Sequence, residues 1–105
     1  MISYKVNTLS SETELNKLLR NHKRFGGNLT LLFTSPWDKT CQRILSKIKV
    51  DENSTEVLNV VNLFETPHTA IIFNTNRVPH LIAMGSDGIM SDDYVPRIFE
   101  FFGTL

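Results

Sequence analysis

Two short apolar runs restrict most strongly how this chain can fold. Leu29-Thr30-Leu31-Leu32-Phe33 and Val57-Leu58-Asn59-Val60-Val61-Asn62-Leu63 are both nearly continuous in apolar residues. A strand that is wet on one face alternates polar and apolar side chains, so runs of this kind belong to strands covered on both faces. The segment between them has helical spacing. Ile44, Leu45 and Ile48 fall on one face, while Lys39, Arg43 and Lys47 recur every four residues as a basic stripe. A buried strand, a helix and a second buried strand describe a crossover in a sheet with helices packed on it.

The rest of the chain extends this pattern. Ser10-Ser11-Glu12-Thr13-Glu14 offers an N-cap with Glu14 placed for a capping box. Leu15, Leu18 and Leu19 then form one helical face, and Phe25-Gly26-Gly27-Asn28 ends the helix. Asp51-Glu52-Asn53-Ser54 is a polar linker. Thr66-Pro67 is a good helix start, although the β-branched Thr69, Ile71 and Ile72 leave a strand over 69–73 as the competing assignment. Val78-Pro79 introduces a strand, His80-Leu81-Ile82-Ala83-Met84. Ser86-Asp87-Gly88 is a tight turn into a short edge strand around Ile89-Met90. Asp93 is placed to cap a last helix carrying Val95, Ile98, Phe99, Phe101 and Phe102, with Pro96 in its first turn. The order, with one further strand at the start, is that of an α/β protein forming a single domain over residues 1–105.

Composition excludes several classes. At 105 residues with 41% hydrophobic and 21% charged side chains, the chain can bury a core and is not a disordered segment. No apolar run approaches the ~18–20 residues that span a bilayer, and Met1-Ile2-Ser3-Tyr4-Lys5-Val6 lacks the pattern of a signal peptide. One cysteine permits no intrachain disulfide and suits a reducing compartment, so a cytoplasmic location is expected. His22, His68 and His80 have no metal-ligand spacing with Cys41, and no phosphate-binding glycine loop occurs, so neither metal nor cofactor is expected. Zero net charge conceals an asymmetry. Residues 1–50 carry nine Lys/Arg against three Asp/Glu, and residues 51–105 carry two against eight. If the two halves lie on different faces, the dipolar surface favours weak head-to-tail self-association. Lys17, Arg20, Lys23, Arg24, Arg43 and Lys47 are the nucleic-acid candidates, opposed by neutrality and the acidic second half.

The run from Leu29 through Trp37-Asp38-Lys39-Thr40-Cys41 resembles the thioredoxin family, in which an apolar strand leads to a Trp and a Cys-x-x-Cys turn that opens a helix. Pro67, Thr69, Ala70 and Phe73 resemble the family's third helix, which favours the helix over the strand there, and Val78-Pro79 resembles its cis-proline dipeptide. The resemblance covers nearly the whole chain. It implies a thioredoxin fold with a central mixed sheet of four to five strands flanked by four helices.

Against the family pattern, Asp38 stands at the attacking cysteine and Cys41 at the resolving one. Thiol–disulfide exchange needs a thiolate at the helix N-terminus and a second thiol to resolve the mixed disulfide. Asp38 provides neither, but Asp is a favoured N-cap, able to accept from the backbone of Thr40 or Cys41. The family's buried acidic residue and its lysine partner correspond to Leu32 and Val60 here. The resemblance therefore implies a fold without dithiol oxidoreductase activity. Cys41 is either a semi-buried small apolar residue or the thiol of a single-cysteine redox protein or sensor.

What the family's peptide groove would retain is Pro36, Trp37, Asp38, Val78 and Pro79, a surface for another protein or an extended peptide segment. Ser91-Asp92-Asp93-Tyr94 replaces the family's glycine-containing loop and would make that wall acidic. Trp37, Asp38, Thr40 and Cys41 also resemble the turn of the spliceosomal thioredoxin-like proteins, which do not keep a proline at the position of Pro79.

Overall fold

The structure, a computed structural model, describes residues 3–75 and 77–94, with backbone alone for 89–94. Five strands form one sheet: β1 (Lys5–Leu9), β2 (Leu29–Thr34), β3 (Val57–Asn62), β4 (His80–Gly85) and β5 (Gly88–Tyr94). Their order is β1-β3-β2-β4-β5. β3 pairs in parallel with β1 and β2, whereas β4 runs antiparallel to β2 and to β5. The two apolar runs thus lie side by side in the interior of the sheet, where both faces are covered. Three α-helices occur among the described residues: α1 (Glu12–Phe25), α2 (Lys39–Lys47) and α3 (Pro67–Ile72).

Alternate residues of each strand feed two cores. On one face, Leu32, Leu58, Val60 and Leu81 pack with Ile44 and Ile48 of the α2 segment and with Tyr4. On the other, Leu29, Leu31, Phe33, Val61, Ile82 and Met84 pack against Leu15 of α1, with Leu18, Leu19, Leu63, Phe73 and Val78 around them. α1 and α2 therefore cover opposite faces. Leu45, expected on the buried face of α2, is half-buried.

Local signals act largely as the residues suggest. Ser11 caps α1, accepting from the Glu14 N–H at 3.1 Å, and Glu14 reaches back to the Ser10 N–H. Gly26 closes α1 at φ 72, a left-handed position that suits glycine, and its N–H donates to His22 O. The competing strand over 69–73 does not form. Pro67 starts α3 at the first helical position and Phe73 follows its end. Thr66 is the N-cap residue of α3 but makes no side-chain cap bond, and its hydroxyl donates to Asn62 O instead. The cap comes from α1: Glu12 accepts from the backbone N–H groups of His68 and Thr69 and from the Thr69 hydroxyl at 2.7 Å. Leu63 belongs not to β3 but to a single 3-10 turn, Leu63–Glu65.

The largest departure is at the far edge. β5 runs through Tyr94 rather than stopping near Met90, with Leu81 opposite Asp93 and His80 opposite Tyr94. The backbone of Asp93 therefore lies within a strand ladder. Ser91-Asp92-Asp93-Tyr94 is strand rather than a loop beside a groove, because pairing with β4 satisfies its backbone. The helix expected over Val95–Phe102 lies outside the described residues.

Candidate functional site

Three connections meet at one end of the sheet. β2 ends at Thr34, opposite Asn62 at the end of β3. Phe33 faces His80 at the start of β4. The turn after β2 (residues 35–38), the 3-10 turn after β3 and the Val78-Pro79 approach to β4 are thereby brought together by strand register. The Val78–Pro79 peptide bond is cis, Pro79 is buried and Val78 half-buried.

The turn after β2 is held by its own polar groups. Ser35 is buried, and its side chain and carbonyl accept from the N–H groups of Trp37 and Asp38. The Pro36 carbonyl accepts from the Gln42 side chain at 2.6 Å. Asp38 is the N-cap of α2: its Oδ1 accepts from the Cys41 N–H at 2.8 Å. A carboxylate suits this position, since the first turn of a helix has unpaired N–H groups and a positive dipole end.

Cys41 lies one turn in, fully buried and free of any disulfide. Burial pushes its thiol up to about 11. The Asp38 carboxylate adds to that rise, and a backbone contact at Ser35 acts against it. Beneath the turn, Leu32 and Val60 are cross-strand partners in the apolar cluster shared with Ile44. No charge occupies either position, so no buried group stands ready to exchange a proton with Cys41 from there.

Trp37 is 75% exposed and meets Phe64, itself 63% exposed, edge to face at 5.3 Å between ring centres. Phe64 has no counterpart in the sequence reading. It lies in the 3-10 turn, whose start is fixed by Asn62 accepting from the Phe64 N–H. The only sequence sign was a large aromatic next to a Glu after an apolar run. Such a pair of exposed rings is unusual, because aromatic side chains normally bury most of their area.

No protein-family model and no curated protein matches the chain. Solved structures do. The reduced thioredoxin pre-protein of Schistosoma mansoni superposes with a TM-score of 0.67 at 21% identity, over 94% of this chain and 99% of that one. Thioredoxin O1 of Arabidopsis thaliana gives 0.70 at 17% identity, over 93% and 97%. Thioredoxin from Fasciola hepatica gives 0.65 at 14%, over 91% and 95%. This is the thioredoxin fold.

In that fold, the turn of Trp37, Asp38 and Cys41 opens the helix that follows the second strand, with one cysteine in the whole chain. The remaining candidates are dispersed. Lys17, Arg20, Lys23 and Arg24 are exposed on α1, Arg43 and Lys47 on α2, across the sheet from one another. β3, from the second half of the sequence, is inserted between β1 and β2, from the first half. The His22 ring bonds the Gly27 carbonyl, and His68 is exposed. His80 is buried, its Nδ1 hydrogen-bonded to the Thr75 hydroxyl at 2.8 Å. No metal-binding cluster occurs among the described residues, and none of the described helices is long and apolar enough to cross a membrane.

Proposed function

We propose that this thioredoxin-fold chain is a protein-binding module without dithiol oxidoreductase activity, which engages an extended segment of another protein through Pro36, Trp37, Asp38, Val78 and Pro79, with Phe64 beside them. The observation that carries the reading is the division of labour in one turn. Asp38 serves as a helix cap where an attacking thiol would stand, while its neighbour Trp37 is presented to solvent against Phe64. A rigidly held exposed Trp is a typical binding hot spot, and an approach to a strand beside such a ring suits an extended peptide. The single buried cysteine is consistent with a cytoplasmic setting.

The reading is tested by capture of partners with wild type, Trp37→Ala and Cys41→Ser. Trp37→Ala is expected to weaken capture by about 2 kcal/mol or more, and Cys41→Ser to leave it unchanged. Loss with Cys41→Ser under non-reducing conditions would favour the alternative, a single-cysteine redox protein or sensor. Turnover in dithiothreitol-driven insulin reduction would overturn the proposal. Against the alternative, a thiol pushed up to about 11 is ionised at pH 7 in only about one molecule in ten thousand.

A further inference from the structure

The inner side of α2 buries Cys41 and Ile44, and its outer side carries Lys39, Arg43 and Lys47, all exposed. At 3.6 residues per turn, a four-residue spacing rotates by only about 40° per step, so the three cations form one stripe along the helix. Charges four apart on a helix support each other when their signs differ and repel when they match. Here every sign matches. α2 contains no Asp or Glu, and Lys39 and Lys47 make no ion pair among the described residues. The stripe therefore does nothing for the helix that bears it.

The stripe starts where the Trp37 surface ends. Lys39 is the first residue of α2, separated from Trp37 by Asp38 alone. Asp38 does not cancel the stripe, because its Oδ1 is engaged by the Cys41 N–H and its charge faces the positive end of the helix. From Lys39 to Lys47 the helix rises about 12 Å. An extended chain covers that distance in about four residues. A strand-like segment leaving the Trp37 and Phe64 rings along α2 would thus pass all three cations within a short run.

We propose that the partner segment bound at the Trp37 surface is acidic on one flank, with a run of about four Asp or Glu residues lying along Lys39, Arg43 and Lys47. The inference rests on the protein-binding reading above and names the chemistry of the partner. Charge complementarity of this kind selects among partners and is screened by salt. A single-stranded nucleic acid would meet the same cations, but its bases need open ring faces on which to stack. Trp37 and Phe64 are instead turned edge to face against each other, an arrangement better suited to the side chains of a peptide.

The test is fluorescence polarisation of the full chain with three labelled peptides. All share the centre Val-Thr-Leu-Thr-Val, flanked on both sides by four Glu, four Gln or four Lys, so that strand direction is immaterial. The Glu peptide is expected to bind about tenfold tighter than the Gln peptide at low ionic strength. That advantage is expected to vanish toward 1 M salt, where the screening length falls to about 3 Å. Lys39→Glu/Lys47→Glu, two exposed changes clear of the core, is expected to shift the preference to the Lys peptide. Lys17→Glu/Arg20→Glu on α1 is expected to retain the preference for Glu. Equal affinity for the Glu and Gln peptides, or an unchanged preference in the α2 variant, would overturn the proposal and leave the Trp37 surface standing if Trp37→Ala weakens the Gln peptide. Tighter binding of oligouridylate than of the Glu peptide would assign the stripe to nucleic acid and overturn it as well. Binding of no peptide, or binding indifferent to Trp37→Ala, would overturn the protein-binding reading itself and this inference with it.

Discussion

Asp38 and Cys41 are three residues apart and coupled by one hydrogen bond, and the two ends of that bond explain each other. A carboxylate at the N-cap satisfies an N–H that would otherwise be unpaired at the start of α2. The same carboxylate adds to the rise that burial imposes on the Cys41 thiol. Asp38→Ala is expected to destabilise the fold by about 1 kcal/mol, measured as a shift in urea midpoint at unchanged slope. Native Cys41 is expected to resist iodoacetamide at neutral pH and to react only as the chain unfolds. Alkylation of the folded protein faster than a model thiol would contradict the buried assignment. Trp37 is the only tryptophan, so its fluorescence reports on the site directly, and Phe64→Ala is expected to change the emission without altering far-UV dichroism.

The elements show which local signals were sufficient. The start of α1, its glycine end and the Asp38 cap were legible because each depends on residues within four positions of one another. The choice between helix and strand over 69–73 was not settled by propensity. It is decided by Glu12, 57 residues away from Thr69, which supplies the cap that Thr66 does not. Burial tends to raise the Glu12 pKa, but the hydrogen bonds from Thr69 and His68 outweigh it and the value is lowered. A carboxylate lowered on folding stabilises the native state above its unfolded value of about 4.3, and that contribution fades as pH falls through the folded value. Wild type is therefore expected to exceed Glu12→Gln in stability at neutral pH, and the difference is expected to shrink below about pH 4, as read from thermal melts across pH. Leu32 and Val60 make a second pair of this kind, adjacent only because β2 and β3 are in register. Leu32→Asp alone is expected to cost about 3–5 kcal/mol as an uncompensated buried charge. The double change Leu32→Asp/Val60→Lys is expected to cost less than the two single changes summed, as a double-mutant cycle by urea denaturation would show.

For the molecule as a whole, the layering of helices on a sheet decides which residues can act together. The basic residues of α1 and α2 are close in composition yet separated by the sheet, so no single basic face forms from them. A salt-dependent gel shift with DNA or RNA is accordingly not expected. The sequence by itself determined the buried strands and the helix between them, which follow from residue type and short-range periodicity. That Asp38, Leu32 and Val60 stand where thioredoxins carry an attacking thiol and a charged pair is what the resemblance to that family implies. Only the tertiary structure decided that Phe64 stands against Trp37, that Glu12 caps α3 and that Asp93 belongs to a strand. These depend on strand register and on packing between residues distant in the chain, and hydrophobic periodicity carries no information about which distant residues will meet.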